Sequence, residues 1–596
     1  MARRPRRVVA LAAVLPFLLT IASPPLLDDG WAVVDNPLVQ GGLSNAARIF
    51  SSPYGFAGGA TLAGPFRPIT TLTFAASYAI HGRFPPGYHV VNLALHALAA
   101  LLVLSLAFRL AKAATPGRAP RVALLAGVLF AVHPAHVEAI APMVGRSELL
   151  AACGALASLA VALGGRGASR GVGRLAASVA LLAVAVLAKE GAAVVPALYA
   201  VVALAVPGAA GLEARPGFAS APARRALLRT ALVSGALALA LVPYLVLRGA
   251  AVAAPLAAQW FAGVPRATVL LTTSRILAEY LRILAFPWFL GTDFAYAARL
   301  PLVTTAGAAL ALATVTWMAV LVGALALLRR APLVSAGVTW TFVALLPVVH
   351  LVPIGVMLAE RLTYLPSAGF CIAAGALLAA AIPADGPGST ASSVGRPGAP
   401  AGRLASVAAL LALATVAALA TRSAVRAADW RDSLALWRSE LPKAPLDPVV
   451  NNNLATAYLG RREYARALSP LETVISVAPG YWRAHVNLGI AAAGVGDRTR
   501  ARAAFLKAIH LAPDASAPIF YYARFLAEEG DDLSAVRWLA RARRISPEEA
   551  RLAVAQGQSL FRLGRVEDAQ AAFAAAVALD PADAEARRGL AAAGGQ

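Results

Sequence analysis

The chain has 596 residues, of which 59% are hydrophobic and 14% charged, with a mean hydropathy of +0.68. That balance excludes a single water-soluble globule and places most of the chain in lipid. The net charge is +23, but residues 421–596 carry 23 basic and 19 acidic side chains, leaving 30 and 11 for the rest, where the basic ones cluster in short loops between apolar runs. This pattern orients a membrane protein and argues against a nucleic-acid partner.

In chain order, Arg3, Arg4, Arg6 and Arg7 precede an apolar run from Val8 to Ala22. Ala22 and Ser23 lead straight into Pro24, Pro25 and two aspartates without a clear A-x-A cleavage site, so the run is expected to remain as a first membrane helix. With the arginines in the cytoplasm, that helix delivers Asp28 and Asp29 to the far side. Further runs of spanning length follow at 88–108, 122–141, 147–165, 175–188, 191–207, 227–247, 302–328, 331–349, 362–382 and 404–420. Threaded alternately, these runs place Arg109, Lys112, Arg118 and Arg121, then Arg166, Arg170 and Arg174, then Arg215, Arg224 and Arg225, Arg329 and Arg330, and Arg396 and Arg403 in the cytoplasm. About eleven transmembrane helices thus satisfy the positive-inside rule. The stretch 268–287 is set apart because Arg275, Glu279 and Arg282 recur on one helical face, as in a helix lying along the membrane surface. The alternative, a further span with a buried ion pair, would reverse every later element. Residues 383–403, rich in Gly, Pro, Ser and Ala, read as a flexible loop.

After Thr421 the texture changes to charged amphipathic helices. Pro445, Pro479, Pro513, Pro547 and Pro581 are each 34 residues apart, the tetratricopeptide repeat length. Ala467, Ala501, Ala535 and Ala569 recur in phase, as do Leu471, Phe505, Leu539 and Phe573. The expected organisation is all-α: a polytopic membrane domain over 1–420, then an α-solenoid over 421–596 with about four repeats between 448 and 581. The repeats specify a concave surface and not its ligand. Cys153 and Cys371 fall inside apolar runs and read as packing residues.

Of the eleven acidic residues in the membrane half, all but Glu213 and Asp385 fall at or near the non-cytoplasmic face under this threading. Ionisable groups near lipid are costly, so their clustering points to a polar site on that face. Asp28 and Asp29 stand where the first helix leaves the bilayer; a carboxylate there can take a proton from a hydroxyl or hold a divalent ion against a phosphate. His133, His136 and Glu138 have the residue types of a metal site, but Pro134 leaves their mutual orientation open, and orienting a substrate by hydrogen bonds is the simpler role. Arg67, Arg146, Lys189 and Arg361 suit a lipid-linked phosphate. Equally, each can anchor a nearby acid: Lys189 beside Glu190, Arg361 beside Glu360, Arg146 near Glu148. Asp35, Glu279 and Asp293 read as solvated loop charges. The sequence has no Gly-rich phosphate loop, nucleophile-elbow serine or paired-cysteine metal site.

Several short motifs occur together: Asp28-Asp29 with Asn36-Pro37; Phe66 to Thr70; Gly87 to Leu93, including His89, with His96; His133 to Glu148; Lys189-Glu190; and Glu360 to Phe370. In this order the chain resembles the transmembrane and tetratricopeptide repeat-containing O-mannosyltransferases and their bacterial relatives among the GT-C glycosyltransferases. The resemblance implies inverting transfer of a sugar, mannose among the candidates, from a polyprenyl-phosphate donor to a protein or envelope-glycan acceptor on the non-cytoplasmic face. It makes Asp28 or Asp29 the general base or a carboxylate near a divalent cation such as magnesium or manganese. It also makes Arg67, Arg146 and Lys189 partners of the leaving phosphate. The Ala- and Arg-rich, Lys-poor composition points to a high-GC bacterium, hence to an inner membrane with periplasmic repeats. The alternative function is a non-catalytic scaffold whose repeats recruit envelope proteins.

Overall fold

The structure, a computed structural model, describes residues 3–55, 64–163, 171–212, 221–252, 261, 263–305, 307–350, 354–382 and 400–595, the side chains of 400–406 excepted. Among them every regular element is helical. The loop expected at 383–403 lies outside the described residues as far as 399, as do Glu213, Arg215, Asp385, Arg166, Arg170 and Arg396. The chain divides into two compact units, Met1–Ala435 and Leu436–Gln596. The boundary expected at 420/421 falls inside one helix, Pro400–Asp429, because the charged residues from Arg422 onward continue the helix of the last apolar run.

In the first unit, eight helices among the described residues are long and apolar enough to cross a membrane: Arg3–Ala22, Pro85–Ala114, Met143–Ala162, Gly171–Ala188, Ala221–Ala251, Ala308–Ala326, Glu360–Ala381 and Val407–Asp429. A bent pair, Pro116–Ala131 and Pro134–Ile140, makes nine if its 49° break lies within one span. The bend falls where Pro134 removes a backbone donor. The other two apolar runs form the shorter helices Glu190–Ala205 and Pro332–Val348. At about 1.5 Å per residue these fall short of a hydrocarbon core of about 30 Å. Pro207 follows the first and Pro332 opens the second, so proline and not hydropathy sets their lengths. Each of the eleven apolar runs thus forms a helical segment among the described residues: eight long helices, one bent pair and two short apolar helices.

The stretch set apart on charge forms helix Arg266–Ala285, which buries Val269, Thr272, Ile276, Tyr280, Ile283 and Leu284 along one stripe and is not among the spans. Helices approach most closely where side chains are smallest. A Cβ on Gly337 would lie 2.4 Å from the Gly369 carbonyl oxygen, at the crossing of Pro332–Leu345 with Tyr364–Ala381. Ser158 and Ser178 each donate a hydroxyl hydrogen bond of 2.8 Å to the other's carbonyl, joining Arg146–Ala162 to Gly171–Ala188.

The second unit is built from helical hairpins: Pro448–Gly460 with Tyr464–Val477, Trp482–Gly494 with Arg498–Leu511, Ser516–Glu528 with Asp532–Ile545, and Ala550–Arg562 with Val566–Leu579. Ala584–Gly594 follows them. The four in-phase alanines are fully buried at the crossings. The Phe505 and Phe573 rings lie against Gly489 and Gly557, where a Cβ would come within 2.8 Å. Turns inside the hairpins use Gly496, Gly530 and Gly564 at positive φ. In the first hairpin the equivalent place is held by Arg462, at φ 60°.

Candidate functional site

The site begins where Arg3–Ala22 ends. Ser23 donates to the Trp430 carbonyl (3.1 Å), Pro24 and Pro25 turn the chain, and Leu27 adopts φ 52°. The two aspartates that follow are not equivalent. Asp29 is fully buried; its Oδ2 accepts from the Leu26 N–H (3.0 Å) and its Oδ1 from the Val144 N–H (2.9 Å). It pins the turn to the loop before Arg146–Ala162. Burial pushes its carboxyl up to about 7, against those two hydrogen bonds and with the Asp28 charge adding to the shift. Asp28 is exposed, and its Oδ1 accepts from Trp31 Nε1 (3.0 Å).

Asp28 shares an electrostatic neighbourhood with Arg361, Glu138 and Asp293. Glu138 is buried and accepts from Arg361 twice, from the backbone N–H at Oε2 (3.0 Å) and from the guanidinium at Oε1. Asp293 Oδ2 lies 3.7 Å from the same guanidinium. Burial pushes the Asp293 carboxyl up to about 6 although Arg361 opposes the shift. Asp293, read from sequence as a solvated loop charge, is therefore part of this cluster.

A second group adjoins it. Arg67 makes a two-pronged pair with Glu190, with Nη2–Oε1 at 2.7 Å and Nε–Oε2 at 3.2 Å, and its guanidinium lies over the Tyr54 ring (5.4 Å). Lys189 pairs with Glu148. The pairings expected between sequence neighbours are exchanged throughout: Lys189 takes Glu148 instead of Glu190, and Arg361 takes Glu138 instead of Glu360. Glu360 itself is fully buried against Arg426 (3.4 Å) and accepts from the Tyr296 hydroxyl (3.4 Å). Glu360 and Arg361 share a 3₁₀ turn, in which consecutive side chains point roughly 120° apart, whereas Lys189 is extended before the turn that Glu190 opens.

Other predicted site residues belong to the packing. Arg146 is fully buried; its guanidinium donates to Asn92 Oδ1 (3.0 Å), the Thr73 carbonyl (3.0 Å), Ser77 Oγ (2.8 Å) and the Tyr88 carbonyl (3.1 Å), and lies 4.7 Å from the Phe74 ring centre. It cross-links helices Pro68–His81 and Pro85–Ala114 to its own. The histidines are likewise buried and engaged. His89 Nε2 donates to the Ser23 carbonyl (3.0 Å), His133 Nε2 to the Leu284 carbonyl (3.0 Å), and His136 Nε2 meets Ser367 Oγ (2.8 Å). His96 donates through Nε2 to the Ala131 carbonyl (3.0 Å), so its Nδ1 accepts from the Tyr364 hydroxyl (2.7 Å). His133, His136 and Glu138 therefore reach three different partners. Among the described residues no three His, Cys, Asp or Glu side chains converge to hold a metal ion.

Sequence reasoning missed Arg426, which reaches the site from the far end of Pro400–Asp429. Its one local signal was an arginine followed four residues later by Trp430, whose ring it overlies at 5.7 Å.

Fold and site together define a class: a multi-pass helical membrane protein with a polar cluster beside the end of its first span, followed in sequence by a tetratricopeptide array. The tetratricopeptide repeat family model matches residues 452–516, 486–550 and 554–594. The chain is also similar to curated protein O-mannosyl-transferases, in line with the resemblance carried by its motifs. It is 34% identical over 152 residues to one from Caenorhabditis elegans, covering 25% of this chain and 21% of the relative. It is 40% identical over 144 residues to Tmtc1 of Drosophila melanogaster, covering 24% and 16%. It is 46% identical over 95 residues to TMTC4 of Homo sapiens, covering 15% and 13%. The matched stretches thus span about a fifth or less of those relatives' length. A solved thermophilic repeat protein from Thermus thermophilus aligns with 31% of the chain and 95% of its own at 20% identity and a TM-score of 0.26.

Proposed function

We propose that the chain is a membrane glycosyltransferase of the GT-C type that moves a sugar, mannose among the candidates, from a polyprenyl phosphate to a hydroxyl of a protein or envelope glycan on the non-cytoplasmic face. The observation that carries this reading is the division of labour between the two aspartates. Asp29 is consumed in holding the turn, whereas Asp28 is exposed and stands among the charges around Arg361. In this reading Asp28 takes the proton from the acceptor hydroxyl as its oxygen bonds to the anomeric carbon. The bond from that carbon to the phosphate oxygen breaks, and the phosphate leaves with the electron pair. Arg361, Lys189 and Arg67 receive the charge gathering on the phosphate, and the acids that already hold them keep their cationic groups in place. The activity for which those relatives are named, protein O-mannosyl transfer, supports a protein acceptor.

The test is transfer of labelled sugar from defined polyprenyl phosphates by the purified protein. Asp28→Asn keeps size and hydrogen bonding but cannot accept a proton, so transfer should fall by at least about 100-fold with insertion unchanged. Normal transfer by Asp28→Asn would remove the assignment of Asp28 as the base, whereas absence of transfer by the unaltered protein would favour a scaffold.

A further inference from the structure

Between helix Arg266–Ala285 and Asp293 the chain makes a short loop with an unusual distribution of polar and apolar groups. Phe286, Trp288 and Phe289 are 57%, 45% and 64% exposed, while Pro287 and Leu290 are buried beneath them. Phe286 and Trp288 stack at 5.7 Å between ring centres. The loop's carbonyls, by contrast, are held by arginines. Arg282 donates to the carbonyls of Phe286 (3.2 Å) and Phe289 (2.8 Å), and Arg422 donates twice to the Trp288 carbonyl (3.2 and 3.1 Å). Glu279 holds Arg282 through both carboxylate oxygens at 2.8 Å. These bonds keep the loop's carbonyls satisfied wherever lipid displaces water from them.

The depth of the loop is marked independently. Residues 407–420 of the last span contain no charged side chain, and Leu410, Leu411 and Leu413 are more than 60% exposed, as a lipid-facing helix requires. Arg422 is the first charged residue beyond that run, and it is the residue that grips Trp288. The three exposed rings therefore stand level with the place where the span changes from apolar to charged, the depth at which aromatic side chains collect in membrane proteins.

We infer that Phe286–Phe289 is an interfacial anchor, its three rings seated in the boundary layer between lipid headgroups and acyl chains and its backbone clamped to the last span by Arg282 and Arg422. Asp293 follows Phe289 by four residues, so the anchor also fixes the height of the Asp293–Arg361–Glu138 cluster against the bilayer. That last consequence rests on the glycosyltransferase reading, in which a lipid-linked phosphate is presented at this level; the anchoring does not.

The test uses the full chain in vesicles of phosphatidylethanolamine and phosphatidylglycerol, carrying Phe289→Cys labelled with bimane; Cys153 and Cys371 are buried, and unsubstituted protein measures their background. Lipids spin-labelled at the headgroup or upper acyl chain should quench the label at least about two-fold more than lipids labelled at the chain end. Aqueous iodide should quench it less than a label at Ser476→Cys on the repeat array. Adding Arg422→Gln, which releases the Trp288 carbonyl, should raise iodide quenching of the bimane carried by Phe289→Cys. Strong iodide quenching without lipid quenching would put the loop in water, absence of both would mean a protein surface covers it, and stronger quenching from the chain end would place it in the hydrocarbon core. Each of these overturns the inference. Should the cysteine variant fail to fold, loss of brominated-lipid quenching in Trp288→Phe relative to the unaltered protein gives the same reading, and unchanged quenching sinks it.

Discussion

Asp28 and Asp29 are chemically identical neighbours separated by what surrounds them. Unfolded, Asp29 has an ordinary carboxyl near 3.8; folded, burial holds it near 7. The folded state therefore keeps its proton to higher pH, and the stability this contributes is fully present below about pH 4 and lost as pH rises through about 7. Asp29→Asn cannot ionise and should flatten that part of the stability profile. It should also lose about 1–3 kcal/mol, because an amide cannot accept both backbone N–H groups as the carboxyl does. Thermal unfolding in detergent across this pH range reads both effects, and an unchanged slope in the variant would show that Asp29 does not titrate there. The sequence identified the pair but not which member turns inward, since the deciding donor is the N–H of Val144, 115 residues away. The same distance effect hid the ion pairs. Glu148 and Lys189 are 41 residues apart, Glu138 and Arg361 are 223 apart, and only the folded bundle chooses them over the adjacent charge.

Helices were legible wherever composition alone decides them, as in the apolar run 88–108, which lies inside Pro85–Ala114. Their lengths were not, because Pro134, Pro207 and Pro332 act on backbone hydrogen bonds that hydropathy does not register. Close crossings were also invisible: nothing in the sequence marks Gly337 apart from other glycines of the membrane half. At that crossing a methyl group would meet both the Gly369 carbonyl oxygen and the Ala373 amide nitrogen, at 2.4 and 2.8 Å. Backbone cannot yield as a flexible side chain does, so Gly337→Ala should destabilise the membrane unit by about 1–3 kcal/mol. Gly323→Ala, with nothing within 4 Å, should be near neutral. Comparison of the two melting temperatures in one detergent checks the crossing, and equal values would refute it.

At the scale of the whole chain, the 34-residue period revealed the second unit without any structure, because each repeat uses the same alanine crossings. Deleting residues 436–596 should leave binding of a polyprenyl-phosphate sugar intact and reduce transfer to the natural acceptor, as measured by donor binding and transfer on a truncated protein shown to be folded. Loss of donor binding would reject this division of labour. The array also carries an irregularity with a mechanical meaning. Three hairpin turns pass through the left-handed region on glycine, and the first does so on Arg462, which costs about 1 kcal/mol of backbone strain. An otherwise uniform chain of springs gives way at its weakest link, so under load or in mild denaturant the first hairpin should yield before those behind it. Arg462→Gly should move that yield point, slowing amide exchange in Tyr464–Val477 relative to Arg498–Leu511; unchanged relative rates would mean the turn is not the fuse.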